Sequence, residues 1–294
     1  MKIAYYPGCT LKTKAKNLEN AAIAALGKLG VEVEELERWN CCGAVYSLAD
    51  DDLIHQVAPV RVLIRAKDSG ANKVMTLCSQ CYNTLARANR LVKEDEEKRK
   101  TLNLFMDEES GYNGEVEVVH MLQFLRDTIG WDEVKKKVVK PLAGLKVAPF
   151  YGCTLLRPTE VSIDEQPFAP KVMNEFLTAL GATPVQFGST TDCCGAYEVL
   201  VNPDAAVRQS ADILVKAKAA GVDAIALSCP LCEYNLGRRQ PSIKLARPEI
   251  EEMPVYYFSQ LLAMALGVAE QSGPFELNNL ATRAQIKERK LATV

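Results

Sequence analysis

Histidine is almost missing from this chain, with 2 in 294 residues. Metal or proton chemistry must therefore rest mainly on other side chains. An excess of basic charge is also missing. Lys+Arg 35 against Asp+Glu 37 gives a formal net charge of −2, which argues against a nucleic-acid binder with its strongly basic face. Aromatic residues make up only 7%, so an aliphatic core is expected. No apolar run approaches the roughly 20 residues that span a bilayer, so no membrane insertion is expected. Met1–Tyr6 reads directly as strand-like sequence without a charged n-region and apolar h-region, which predicts a cytoplasmic protein. The length suits two ordinary domains, each with its own core.

Cysteine is plentiful: 10 residues, too dilute for a disulfide-built miniprotein in a chain this long. In a reducing compartment, clustered thiols bind metal or do redox chemistry more often than they form structural disulfides. They stand at 9, 41, 42, 78 and 81, then at 153, 193, 194, 229 and 232. Each set is one single, one adjacent pair and one C-x-x-C. The flanks repeat as well. Lys2–Leu11 (KIAYYPGCTL) parallels Lys146–Leu155 (KVAPFYGCTL), Cys41–Ala44 parallels Cys193–Ala196 (both CCGA), and Val118–Gly130 parallels Val255–Gly267 without a gap. One long period repeated twice marks a duplicated domain. We expect one domain over 1–140 and a second over 141–294, divided near Pro141 and Gly144, with a C-terminal tail from about residue 268.

Strand-like and helix-like stretches alternate in each half. In the first, Ile3–Tyr6, Val31–Leu36, Lys73–Leu77 and Val116–Val119 read as strands. Asn17–Leu29, Leu53–Lys67, a long charged stretch from Tyr82 toward Met106, and Leu122–Ile129 read as helices. The pattern predicts an α/β chain of two duplicated Rossmann-like domains with mostly parallel sheets, related by a pseudo-twofold. In such sheets the carboxyl ends of the strands share one edge, where ligands bind. Cys9, Cys41–Cys42 and Cys78 each follow a predicted strand, and Cys153, Cys193–Cys194 and Cys229 do the same in the second half. Five thiols should therefore meet at one edge, twice.

A structural zinc site uses four ligands, usually from two C-x-x-C-like knuckles. Here each half has one such knuckle and a fifth cysteine left over, and adjacent Cys41 and Cys42 cannot easily bite one ion together. A lone C-x-x-C after a strand also resembles a dithiol redox pair. Thiolate-only sets fit iron–sulfur chemistry, in which an ordinary cubane takes four cysteines. Five suggests a cluster larger or more open than a cubane. Cys9 and Cys81 are expected at or just before helix N-termini, and Gly8, Gly43, Gly152 and Gly195 would let backbone N–H groups come close to cluster sulfides.

These residues resemble the CCG cysteine-rich domain, with C-x31–39-CC-x35–36-C-x-x-C spacing. Two tandem copies resemble the B subunit of heterodisulfide reductase from Lys2 to about Gly267. The second copy has 34 residues before Cys229-Pro230-Leu231-Cys232, one fewer than usual. Methanogen members commonly have Pro where Gly43 stands, which points to a bacterial-type relative and leaves the disulfide open. The resemblance implies two noncubane [4Fe-4S] clusters, one held by Cys9, Cys41, Cys42, Cys78 and Cys81, the other by Cys153, Cys193, Cys194, Cys229 and Cys232. It implies a catalytic subunit that reduces a disulfide, the coenzyme M–coenzyme B heterodisulfide or a related small-molecule or protein disulfide, between the clusters. It also implies as partners a C-type subunit with ordinary [4Fe-4S] clusters and a flavin-bearing A-type subunit. The competing reading is an electron-transfer subunit of the kind found in lactate, glycolate, glycerol-3-phosphate or succinate oxidation, passing electrons toward quinone. A zinc or dithiol scaffold is the third.

Smaller features carry weaker expectations. Lys12, Lys14 and Arg157 follow Cys9 and Cys153, where they could hold an anionic substrate; a solvated basic helix start is the alternative. His120 ends the fourth strand of the first half, opposite Tyr257 of the second, and could donate a proton to a product thiolate; a packed, hydrogen-bonded histidine is the commoner case. The tail beyond Gly267, ending in Lys287-Glu288-Arg289-Lys290, has no counterpart in the first half and reads as a partner-docking or mobile extension.

Overall fold

The computed structural model describes residues 1–44, 52–273 and 275–292. The first half runs β1 (Lys2–Tyr5), α1 (Lys16–Lys28), β2 (Glu32–Glu35), α2 (Ile54–Asp68), β3 (Lys73–Thr76), α3 (Ser79–Glu94), α4 (Glu96–Phe105), β4 (Glu117–His120), α5 (Met121–Phe124, continued by a π-turn over Leu125–Ile129) and α6 (Trp131–Lys137). The second half runs β5 (Lys146–Pro149), α7 (Val172–Ala179), β6 (Thr183–Pro184), α8 (Pro203–Ala219), β7 (Ala224–Leu227), α9 (Pro230–Glu233, continued by a π-turn over Tyr234–Arg238), α10 (Gln240–Ala246), β8 (Val255–Tyr257), α11 (Phe258–Ala265) and α12 (Leu280–Glu288). The expected long charged helix is two helices. Asp95 breaks it with an extended backbone, and its side chain accepts a hydrogen bond from Lys98 N at 2.9 Å, capping α4.

Two four-stranded sheets result, ordered β2-β1-β3-β4 and β6-β5-β7-β8, with every pairing parallel. This is the duplicated α/β architecture that the repeats predict. The central strands are apolar and enclosed: Ala224–Leu227 is buried throughout. Edge strand β2 (EVEE) instead faces solvent with its glutamates, a charged edge that discourages pairing with another chain. In each sheet the strand order reverses beside the first strand, between β1 and β3 and again between β5 and β7. A crevice opens at such a switch point, at the carboxyl ends of the strands.

The halves share one continuous apolar core. His120 and Phe258 stack across the boundary at 5.6 Å, and Phe176 meets Phe258 at 5.9 Å. Ser259 Oγ donates to Leu18 O (2.9 Å), so α11 of the second half lies on α1 of the first. The described part of the tail packs back onto both halves. Ile286 is fully buried, Thr282 Oγ1 accepts from Val255 N (2.8 Å), and Asn278 exchanges hydrogen bonds with Gln260 and receives one from Asn17 of the first half (3.0 Å). It covers β8 and ties both halves together. A tail without a sequence counterpart closes an interface that exists only between the copies.

Candidate metal centre between the halves

The cysteines gather at the two switch points. Cys9 lies in the turn after β1, Cys78 caps α3 directly after β3, Cys81 sits in the first turn of α3, and Cys41–Cys42 follow β2. Cys9 is not at a helix N-terminus, because α1 begins only at Lys16. In the second half Cys229 caps α9 just as Cys78 caps α3. The Sγ atoms of Cys9 and Cys41 are 3.8 Å apart, and those of Cys42 and Cys81 3.6 Å. Further thiol contacts join Cys41 to Cys42 and Cys78 to Cys81. In the second set Cys153 meets Cys193, and Cys232 meets both Cys194 and Cys229. Cys78 and Cys229 lie near enough to shift each other's proton affinity, and beside them the hydroxyls of Ser79 and Ser228 are hydrogen-bonded. The ten thiols therefore form two groups that meet at the pseudo-twofold. Among the described residues no three Cys, His, Asp or Glu side chains already close around the point of a single ion.

Such crowding divides the protons. The hydrogen bond from Cys153 draws Cys193 down to about 6. Cys42 is pulled well below the usual thiol range by its bonds with Cys41 and Cys81, and Cys229 by its bonds with Cys232 and Cys78. Their partners Cys41, Cys78, Cys81, Cys153 and Cys232 are pushed up by those same contacts and by burial. Packed sulfurs cannot all ionise without positive charge among them. A metal cluster supplies such charge, so this donor set fits one. The backbone leaves matching space. A Cβ at Gly8 (φ +72) would come within 2.8 Å of Cys81 Sγ, and one at Gly152 (φ +65) within 3.3 Å of Cys232 Sγ.

His120 is fully buried, with both ring nitrogens engaged: Nδ1 accepts from Leu122 N (3.2 Å), and Nε2 lies 2.9 Å from Leu77 O. That fixes the Nε2–H tautomer, donating to the carbonyl just before Cys78. The ring caps α5 and steadies the Cys78 turn, which leaves no nitrogen for the expected proton delivery. Burial lowers its pKa to about 4. The folded state therefore binds fewer protons than the unfolded one between pH 6.5 and about 4, so stability is lost as pH falls through that window. Urea unfolding should show this group costing about 2 kcal/mol between pH 7 and 5. His120→Asn, which keeps a cap without a titrating ring, should lose that part of the slope; an unchanged slope would contradict it.

Of the expected substrate cations, Lys12 is held by Glu19 (2.8 Å) and Glu35 (2.5 Å), and Arg157 donates to Thr191 O at 3.1 Å. Two carboxylates neutralise the first, and a backbone carbonyl orients the second. Lys14 instead lines a cavity of about 710 Å³ between the halves, together with Thr10, Ala196, Leu231, Tyr234 and Tyr257 among others. The lining is mostly apolar. Two groups beside it, Glu233 and Arg238, were not foreseen. Glu233, 1% exposed and beside Cys232, pairs with Arg238 at 2.9 Å and faces the Tyr257 hydroxyl at 3.5 Å. Burial raises the Glu233 carboxyl to about 7. Superposing the two C-x-x-C segments would have shown the exchange, since Glu233 and Tyr257 stand where the first half has Tyr82 and His120.

The profile of the cysteine-rich domain family (CCG) matches twice, over residues 3–86 and 147–237. The chain belongs to this family. It is 33% identical to the 8-methylmenaquinol:fumarate reductase membrane anchor subunit of Wolinella succinogenes, over 91% of this chain and 93% of that protein. It is 30% identical to the B subunit of the ferredoxin/F420H2-dependent CoB-CoM heterodisulfide reductase of Methanosarcina acetivorans, over 98% of this chain and 97% of that one. Both relatives are subunits of oxidoreductases. Among solved structures, a hypothetical protein from Helicobacter pylori shares the fold (TM-score 0.72, 14% identity, 90% of this chain); the CCG chain spans 49% of that structure. No described helix is long and apolar enough to cross a membrane.

Proposed function

We propose that this chain is the iron–sulfur subunit of a heterodisulfide-reductase-like complex, with one noncubane [4Fe-4S] cluster on each five-cysteine set. The observation that carries the reading is the hydrogen bond between Ser79, which follows Cys78, and Ser228, which precedes Cys229, because it brings the two thiol sets to one place in a single chain. Bound clusters would supply one-electron carriers and iron sites open to sulfur. Reduction of a disulfide takes two electrons and two protons and yields two thiols, so paired one-electron centres at one cleft match the stoichiometry. The residues of the chain do the rest. Ser79 and Ser228 lock the two C-x-x-C turns together, Asn235 Nδ2 steadies the Cys194 carbonyl at 3.0 Å, and mostly apolar side chains line the cavity. Electrons would arrive from C-type and A-type partner subunits. Anaerobically purified protein should contain about four irons per set and reduce the coenzyme M–coenzyme B disulfide or a related one. Zinc at one per set would end the reading.

A second reading, electron exchange with a membrane quinol, is favoured by the apolar lining and by the 33% relative, named as a membrane anchor subunit of a menaquinol enzyme. Quinol-linked reduction with no disulfide turnover would select it. In that case the chain would be found at the membrane surface rather than free in the cytoplasm.

A further inference from the structure

The two halves hold their cysteine loops in different ways. Counting from the C-x-x-C motifs, Asn83 corresponds to Tyr234, and Arg87 to Arg238. Counting from the single cysteines, the Thr10–Thr13 loop corresponds to Thr154–Arg157. In the first half, Asn83 Nδ2 donates to both Thr154 O (2.9 Å) and Arg157 O (2.7 Å). A side chain as short as Asn reaches two carbonyls only if helix and loop lie against each other, so Asn83 is a clamp. Its counterpart Tyr234 makes no such bond and stays 42% exposed. The loop on that side is reached one helical turn later by the longer Arg238, whose Nη2 donates to Lys14 O at 2.5 Å while its Nε faces Glu233. Arg238 is a prop. It holds the loop away from the helix, and the 710 Å³ cavity is the space left between them.

We infer that a ligand enters beside the propped loop, and that Tyr234 and Arg238 are the specificity-determining residues that create this site. The site takes a small molecule with an apolar body and one anionic group. The apolar wall comes from Ala15, Ala196, Val199, Leu231 and the Tyr234 ring. The anionic end is assigned to Lys14, which has no carboxylate partner among the described residues and lies at the edge of that wall. Arg238 is already committed to Glu233. The inference rests on the two-cluster reading only in taking this cavity as the substrate's entrance; the cavity itself follows from the clamp and the prop.

The test uses the anaerobically purified, metal-loaded chain and isothermal titration calorimetry. The probes are a sulfonated anilinonaphthalene dye and its neutral parent without the sulfonate. One dye should bind per chain. Val199→Trp, which fills the cavity from its half-exposed side, and Tyr234→Asn, which removes the aromatic wall, should each weaken both probes about tenfold or more. Lys14→Met should weaken only the sulfonated dye, by about threefold. Val201→Trp, at an 86% exposed position outside the lining, should change neither. Iron content and melting temperature, measured on every variant, separate loss of the site from loss of the fold. No binding, or full affinity in folded Val199→Trp and Tyr234→Asn, would each overturn the inference. Dye bound as expected to a chain that holds no iron–sulfur clusters would sink the functional reading and leave the cavity standing.

Discussion

Cys229→Ser is expected to disturb both metal sites, whereas Cys153→Ser should disturb only one. Cys229 follows β7, stands at the N-cap position of α9, and interacts with both Cys232 of its own set and Cys78 of the other. Cys153 faces Cys193, within the second set. Serine is nearly isosteric, but its hydroxyl is a poor ligand for iron and leaves a buried donor with little to bond. Loss of a ligand should take total iron from about eight per chain to about four and lower turnover more than about a hundredfold. The distinguishing readout is EPR. Signals of the first set should survive unchanged in Cys153→Ser and shift in Cys229→Ser, because only the latter borders the first set. Identical spectra in the two variants would mean that the halves do not meet in the holoprotein as they do here.

Arg238→Met should destabilise the fold through the buried Glu233. Glu233 is 1% exposed, its nearest cation is the Arg238 guanidinium, and Tyr257 OH stands farther off at 3.5 Å. Methionine keeps much of the apolar stem, so the main loss is the partner of Glu233, whose carboxyl, already raised to about 7, then takes up a proton; the cost at neutral pH should be about 1–3 kcal/mol. Thermal unfolding should fall by roughly 5 °C for a chain of this size. Adding Glu233→Gln removes the buried acid and should restore more than half of the loss. A double variant no more stable than Arg238→Met would show that the guanidinium acts mainly by propping the Lys14 loop, to which it also donates.

The difference between these two sites in the sequence is instructive. The cysteines were legible because ligands repeat: two sets of five at matched spacing, each after a strand-like run, require convergence in any parallel α/β sheet. The chain alternation and both sheets followed from the same local pattern, with Asp95 as the main break, since capping there outweighs helical periodicity. Glu233, Arg238, Tyr234 and Asn83 carry no such mark. Each is an ordinary helix residue in its own half, and its importance lies in what the opposite half places against it. The same holds for the tail, whose Asn278 finds Asn17 261 residues away. His120 looked like a free acid–base group only until burial and the Leu77 carbonyl took both of its nitrogens.

By itself, then, the sequence determined the family, the duplication, the strand ends that hold the thiols, and the number of thiols at each. These depend on period and spacing, which are properties of one chain segment at a time. The tertiary structure alone decided that the two sets meet beside the Ser79–Ser228 bond, that one loop is clamped while the other is propped, and that a cavity lies beside the prop. Those outcomes depend on side-chain reach across an interface. Asn83 bonds the facing loop where its counterpart Tyr234 does not, and the periodicity of either half says nothing of what the other half places against that position.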